Sequence, residues 1–433
     1  MKWKITFLFL PFLLNAENFN ELIKRINNSN VVKIYQKNIE IQKQKLNQAI
    51  AKNYGKIDFE YDYSHLFENT VMKMNSPQPV AAENKGGNIY PLIYKNINIQ
   101  TKVGNKNNFI GMLSFSYPIF TGFEISNAID IEKLNLMKSK LDLQNIKRNL
   151  ILNTAKLYAG IYALKEKIKA LNEAKKALLS AKEQASALYK EGLLNKSTLD
   201  EIDAKYYEIT ANIEETKANK KSLLNNLDYI LNTKVSSISG LEQIKLKKAN
   251  ILNRPDVKAI QQTLKITQKA LSIAKSGFLP KIYLQAGIKK EATNAFLSQN
   301  NYQNIDKSFV ALSVQYNIFN GGEDKSKIEE AKISKMKADI FYINYLNKVK
   351  TEYQNDLLDL NALKKRFFAA KKEVKARKSY YEYIRAKFNE GLADVTDLND
   401  AIAKLADAKA KRDYIKSEIF FYTLKANIDG GNK

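Results

Sequence analysis

The chain has no cysteine and a single histidine, His65, among its 433 residues. The first absence excludes disulfides, thiolate metal sites, cysteine nucleophiles and lipid attachment at an N-terminal cysteine. The second excludes a zinc site built from imidazoles within one chain; His65, beside a polar stretch, reads as a surface residue. Long apolar runs are also missing. The one candidate, ITFLFLPFLL (5–14), follows Lys2 and Lys4 and precedes Asn15-Ala16. It is too short to span a bilayer as a helix and has the layout of a secretory signal peptide, residues 1–16, cleaved after Ala16. An exported chain is expected, and any membrane it crosses must be crossed by strands.

Residue types that build catalytic sites are scarce. There are no paired carboxylates in a pocket context, no glycine loop to cradle phosphate and no histidine to serve a nucleophile. No enzyme and no cofactor is expected. Lys and Arg outnumber Asp and Glu by 70 to 45, a formal charge of +25. Dense positive charge attracts phosphate, but these lysines are spread along helical faces and the chain is exported, so nucleic acid is not the expected partner.

Proline is confined to positions 77, 79, 91, 118, 255 and 280 beyond the leader. Residues 119–254 and 281–433 are thus free of it, and long helices can run through both. Leu157, Leu164, Leu171, Leu178 and Ala185 stand seven apart, with Ile161 and Ile168 between them. Leu199, Tyr206 and Ile213, and Ile202, Ile209, Thr216 and Leu223, continue the spacing of a coiled-coil seam. A helix from about 123 to 190 is roughly 100 Å long.

The chain repeats itself. YKEGLLNKSTLDEIDAK (189–205) returns as FNEGLADVTDLNDAIAK (388–404), and SYPIFTGFEISNAIDIEK (116–133) as QYNIFNGGEDKSKIEEAK (315–332), both displaced by 199 residues. Upstream the displacement is 225, pairing Leu46, Ala49 and Ile57 with Leu271, Ala274 and Ile282, so the first copy carries 26 additional residues. Two structural repeats follow, 17–245 and 246–433. Gly192 and Gly391 read as helix C-terminal glycines, and Ser197 and Thr396 as N-caps of returning helices. Each repeat then holds a helical hairpin with its tip near 192 or 391.

Four segments alternate with period two: 56–64, 109–117, 281–289 and 308–316. Ile57, Phe59, Tyr61 and Tyr63 share one face of the first, and Phe109, Leu113, Phe115 and Tyr117 one face of the second. Their length and aromatic ends fit strands of a membrane barrel, with polar loops at about 65–108 and 290–307. Open edges are not tolerated in lipid, and four strands cannot close. Three chains would supply twelve.

Over essentially its whole mature length the chain resembles outer-membrane factors of the TolC type. The resemblance is carried by RPDVKA (254–259), GFLPKIYL (277–284), YPIFTG (117–122) with YNIFNG (316–321), and the two EGL tips. It implies a mainly α fold with a membrane β-barrel, built as a homotrimer: a 12-stranded barrel over an α-helical periplasmic tunnel. It also implies a function, passive conduction from an inner-membrane pump of the RND, ABC or MFS type, through a periplasmic adaptor, to the exterior in tripartite efflux or type I secretion. Drugs, metal ions, small metabolites or whole proteins are all within reach of that reading, the pump making the choice.

By the same resemblance Asp397 and Asp400 fall on the family's acidic positions and would ring the periplasmic constriction. The alternative is a pair of solvated acids in a helix's first turn, where they favour the dipole. Gly192, Leu193, Leu194, Ser197, Leu199, Gly391, Leu392, Thr396 and Leu398 lie where the family presents its tips to the adaptor; Leu199 and Leu398 could equally cap the seam. The family's gate clasp is missing, since Phe388, Ala393 and Thr198 occupy its places. A periplasmic coiled-coil scaffold without transport activity is the competing reading, and it leaves the four strands unexplained.

Overall fold

The computed structural model describes residues 16–298 and 306–432. The expected leader, up to residue 15, and part of the second loop lie outside the described residues. Helices α1 (Phe19–Arg25), α2 (Asn30–Ala51), α3 (Glu124–Lys190), α4 (Lys196–Leu231), α5 (Pro255–Ser276), α6 (Glu323–Asn389) and α7 (Val395–Asp429) alternate with strands β1 (Lys56–His65), β2 (Val71–Lys85), β3 (Asn88–Lys102), β4 (Asn107–Phe120), β5 (Lys281–Ala292) and β6 (Lys307–Gln315). Both displacements reappear in the element bounds. α2 and α5 have 22 residues each, 225 apart, and α3 and α6 have 67 each, 199 apart.

Two compact units cut across the repeats, each drawing on both. The first holds residues 16–45, 132–268 and 333–432 and is helical. Its heptad seam is buried: Leu171, Leu178 and Ala185 on α3 pack with Ile202, Ile209 and Ile213 on α4, and with Ile384, Phe388, Leu398 and Ile402 from α6 and α7. A second cluster seats α1 against α3, α4 and α7. Phe19 meets Phe420 edge-on at 5.3 Å, and Tyr158 donates to the Gly240 carbonyl at 2.9 Å. Asn18 and Glu21 close a capping box that fixes where α1 starts.

A balanced ion cluster ties the start of α5 to the end of α7. Arg254, 3% exposed, donates from Nε and Nη2 to Asp256 at 3.1 and 2.7 Å, and from Nη1 to Asp429 Oδ1 at 3.4 Å. Arg148 reaches Asp256 at 3.1 Å and also bonds Asp429, while the Tyr345 hydroxyl donates to Asp256 at 2.8 Å. Lys425 bridges Asp429 at 3.4 Å and the buried Asp356. Three cations face three carboxylates. The cations hold Asp256 down at about 2 despite its burial. Pro255 opens α5 because its missing N–H is an orphan position there.

Asp356 is the outlying carboxylate, pushed up to about 6 by burial, with Lys425 pulling it down and Asp429 adding to the rise. A carboxyl raised in the folded state contributes stability that is fully present below its ordinary 3.8 and lost as pH rises through about 6. Asp356→Asn should therefore flatten the fall in thermal stability between about pH 4 and 6. Helix unfolding followed by circular dichroism checks this; an unchanged pH slope would refute it.

The second unit spans 46–131 and 269–332. Its antiparallel sheet has the order β1-β4-β5-β6, with Phe59 opposite Leu113, Leu113 opposite Ile288, and Ala286 opposite Val310. This register gathers Ile57, Phe59, Tyr63, Leu113, Ile288, Val310, Leu312 and Val314 on one face, all exposed. Asp58, Glu60, Asp62, Ser114, Ser116, Gln285 and Ser313 take the other. β1 and β6 are edge strands, each with one unpaired side among the described residues.

One expectation fails. The stretch 65–108 is not a polar loop: β2 and β3 pair over 15 residues each, turning at Gly86-Gly87 with φ of +63° and +90°. Its alternation was masked by Pro77, Pro79 and many asparagines, yet prolines two apart are compatible with a strand edge whose outward positions lack a partner.

Candidate functional site: the hairpin tips

Both long helices end in the same device. Gly192 adopts φ +76° and Gly391 φ +71°. Leu193 N–H donates to the Leu188 carbonyl at 2.9 Å and Gly192 N–H to Tyr189 at 3.0 Å. Leu392 donates to Lys387 at 2.8 Å and Gly391 to Phe388 at 3.0 Å. These paired bonds satisfy carbonyls that a helix end otherwise leaves open. A Cβ at Gly391 would meet no atom within 4 Å, so Gly391→Ala should cost only backbone strain, about 1–2 kcal/mol. Denaturant unfolding checks this; a loss well above that range would mean that Gly391 also fits against something.

The returning helices are not capped as expected. Asn195 caps α4: its Oδ1 accepts from the Thr198 N–H at 3.0 Å and from the Ser197 and Thr198 hydroxyls at 2.6 and 3.0 Å. Asp394 stands at the N-cap of α7 without a side-chain bond. Ser197 and Thr396 thus sit one residue inside their helices. The reason is positional, because a side-chain cap bonds the N–H two or three residues ahead, and Asn195 and Asp394, each immediately before its helix, hold that position while Ser197 and Thr396 lie past it.

The tips present some of the nine residues singled out and bury others. Leu193 and Leu392 are 67% and 68% exposed, an equivalent pair of apolar knobs. Gly192, Ser197, Gly391 and Thr396 are also exposed. Leu194 and Leu199 pack partly against the seam, and Leu398 is 2% exposed, so it supports the second tip from within.

Asp397 and Asp400 are both exposed, and Asp400 pairs with Lys404 at 2.5 Å, one helical turn on. Phe388 is buried in the seam with Ala393 against it, which accounts for their apolar character at the clasp positions.

Two contacts between the hairpins are not legible in the sequence. The Thr396 hydroxyl donates to Glu201 at 3.1 Å, joining the tips of the two repeats, and Lys409 on α7 reaches Glu173 on α3 at 2.6 Å. No spacing within one segment signals a bond across 195 residues. Asn399 is buried with neither amide atom bonded within the described residues.

The family description for outer membrane efflux proteins matches residues 93–233 and 248–412. Solved structures share the fold. CusC aligns over 96% of this chain and 92% of its own, at 14% identity and a TM-score of 0.78. The CmeC outer membrane channel of Campylobacter jejuni covers 96% and 86%, at 19% and 0.75. VceC of Vibrio cholerae, an outer membrane protein, covers 96% and 96%, at 15% and 0.74. No curated protein sequence matches. With more than half of its length matched, the chain belongs to the outer membrane efflux protein family and is an outer-membrane channel for efflux.

Proposed function

We propose that three copies close one barrel and one tunnel, and that the tips receive a periplasmic adaptor joined to an inner-membrane pump. The observation that carries this is the sheet: four strands, two unpaired edges and a continuous exposed apolar face. Unpaired backbone in hydrocarbon costs several kcal/mol per group, so a membrane sheet must pair β1 of one copy with β6 of the next. Twelve strands lie within the range of known bacterial barrels. The lipid-facing apolar side and the polar side bearing Asp58, Glu60 and Asp62 then become outside and lumen.

In this reading residues 1–16 leave on export, 17–245 and 246–433 form the repeats, and the helices stand in the periplasm. Leu193 and Leu392 are the primary adaptor contacts, with Gly192, Ser197, Gly391 and Thr396 around them. Leu194, Leu199 and Leu398 hold the tips' shape. The Thr396–Glu201 bond supports a closed tip in place of the missing clasp.

Asp397 and Asp400 form the acidic ring. A ring of carboxylates at a constriction favours cations. Asp400 is offset by Lys404, so Asp397→Ala should lower the cation-to-anion permeability ratio in planar bilayers more than Asp400→Ala. Unchanged selectivity in the double variant, with the assembly intact, would remove the ring from the account.

A further inference from the structure

The β2–β3 ribbon projects from the end of the sheet remote from the helices, because α2 leads into β1 and β4 leads into α3. The two arms that lead from the sheet into this separate ribbon stay side by side: Leu66 N–H donates to the Lys106 carbonyl at 2.7 Å, and Val103 N–H to Thr70 at 2.8 Å. Fifteen residues per strand make an extension of roughly 50 Å. Two strands alone are marginal in water, and the base of this ribbon gathers apolar side chains on one face. The register places Met72, Met74, Ile97 and Ile99 together on one side at the ribbon's base, bordered by Thr101 and Ser76, with Gln78, Lys95 and Ile93 following on that side farther out. Lys73, Asn75, Asn96, Asn98, Gln100 and Lys102 take the other side with Val71, Pro77, Pro79 and Tyr94. Met72, Met74, Ile93 and Ile97 are between 42 and 57% exposed. At its base the ribbon therefore offers one mainly apolar side, as an antiparallel sheet resting on a non-aqueous surface does.

We infer that this apolar face lies on the outer surface of the membrane, against anionic lipid. Two observations select that occupant. The ribbon continues the strands whose apolar face meets lipid in the barrel reading, so it begins at the membrane surface. The segment 66–106 also carries five lysines, at 73, 85, 95, 102 and 106, against Glu68 and Glu83, with Lys95 on the apolar side itself, and basic residues at a bilayer surface are drawn to anionic headgroups. The same excess opposes the packing of three ribbons on one another. Pro77 and Pro79 further blunt β2 as an edge for pairing with another copy. The inference rests on the outer-membrane barrel proposed above.

The absence of native cysteine allows a direct test. Single variants Ile97→Cys, Asn98→Cys and Val310→Cys of the full chain are labelled with an environment-sensitive fluorophore. They are reconstituted in vesicles of phosphatidylcholine and phosphatidylglycerol, with and without nitroxide-bearing lipid. The probe at 97 should be quenched severalfold more than the probe at 98, as the probe at 310 should be. Replacing phosphatidylglycerol by phosphatidylcholine should reduce the quenching at 97 and spare that at 310.

Quenching at 310 with none at 97 would overturn the assignment while leaving the barrel standing. Disulfide-linked copies of unlabelled Ile97→Cys would overturn it in favour of ribbon against ribbon, and equal quenching at 97 in neutral lipid would overturn the role of charge. No quenching at 310 would instead show that the barrel reading itself had failed.

Discussion

Replacing Arg254 with methionine should cost the folded chain about 3–5 kcal/mol, the usual penalty for breaking a buried ion network from one side. The guanidinium is 3% exposed and spans Asp256 and Asp429. Without it three carboxylates face only Arg148 and Lys425, leaving a buried negative charge uncompensated. Domains commonly have only about 5–15 kcal/mol in total, so a lowered thermal midpoint and reduced yield should both be visible. Arg254→Lys should recover little, because an ammonium cannot reproduce the fork that grips Asp256. A variant within about 1 kcal/mol of wild type, well below the buried-pair penalty, would mean that water already reaches the cluster.

The second large effect is expected on the sheet. Leu312→Lys should cost about 2–4 kcal/mol per copy, the price of a lysine near the bilayer midplane. Leu312 lies near the middle of β6 on the apolar face, 63% exposed within one chain. Ala311→Lys, next in sequence but opposite in direction beside Gln285, should be tolerated because it enters the polar side. The amount of assembled protein in outer membranes reads both variants. Equal loss for the two would indicate that β6 is not a lipid-facing strand.

Much of this architecture is legible in the sequence for physical reasons. Proline-free stretches and the seven-residue seam leave little but long helices. Period-two alternation marks the four sheet strands, and the change of displacement from 199 to 225 locates the inserted residues. The ribbon within that insertion is less legible. The alternation of Met72 and Met74, and of Ile93, Ile97 and Ile99, is present, but prolines and asparagines give it the composition of a loop.

The ion cluster is illegible because Arg148, Asp256, Tyr345 and Asp429 come from four distant segments and meet only through helix packing. The tips fall between these cases. Their glycines are read from local rules, whereas burial of Leu398 and the Thr396–Glu201 bond require the partner hairpin. The pairing of Asp400 with Lys404 follows the i,i+4 rule and was available from sequence alone.

The most direct measurement is the native mass of the protein extracted by detergent from purified outer membranes. Three times the mass of the mature chain is expected, because four strands per copy close only when β1 and β6 find each other around a ring. A monomer or dimer released by salt alone would contradict it, leaving a sheet with open edges and no way across the bilayer.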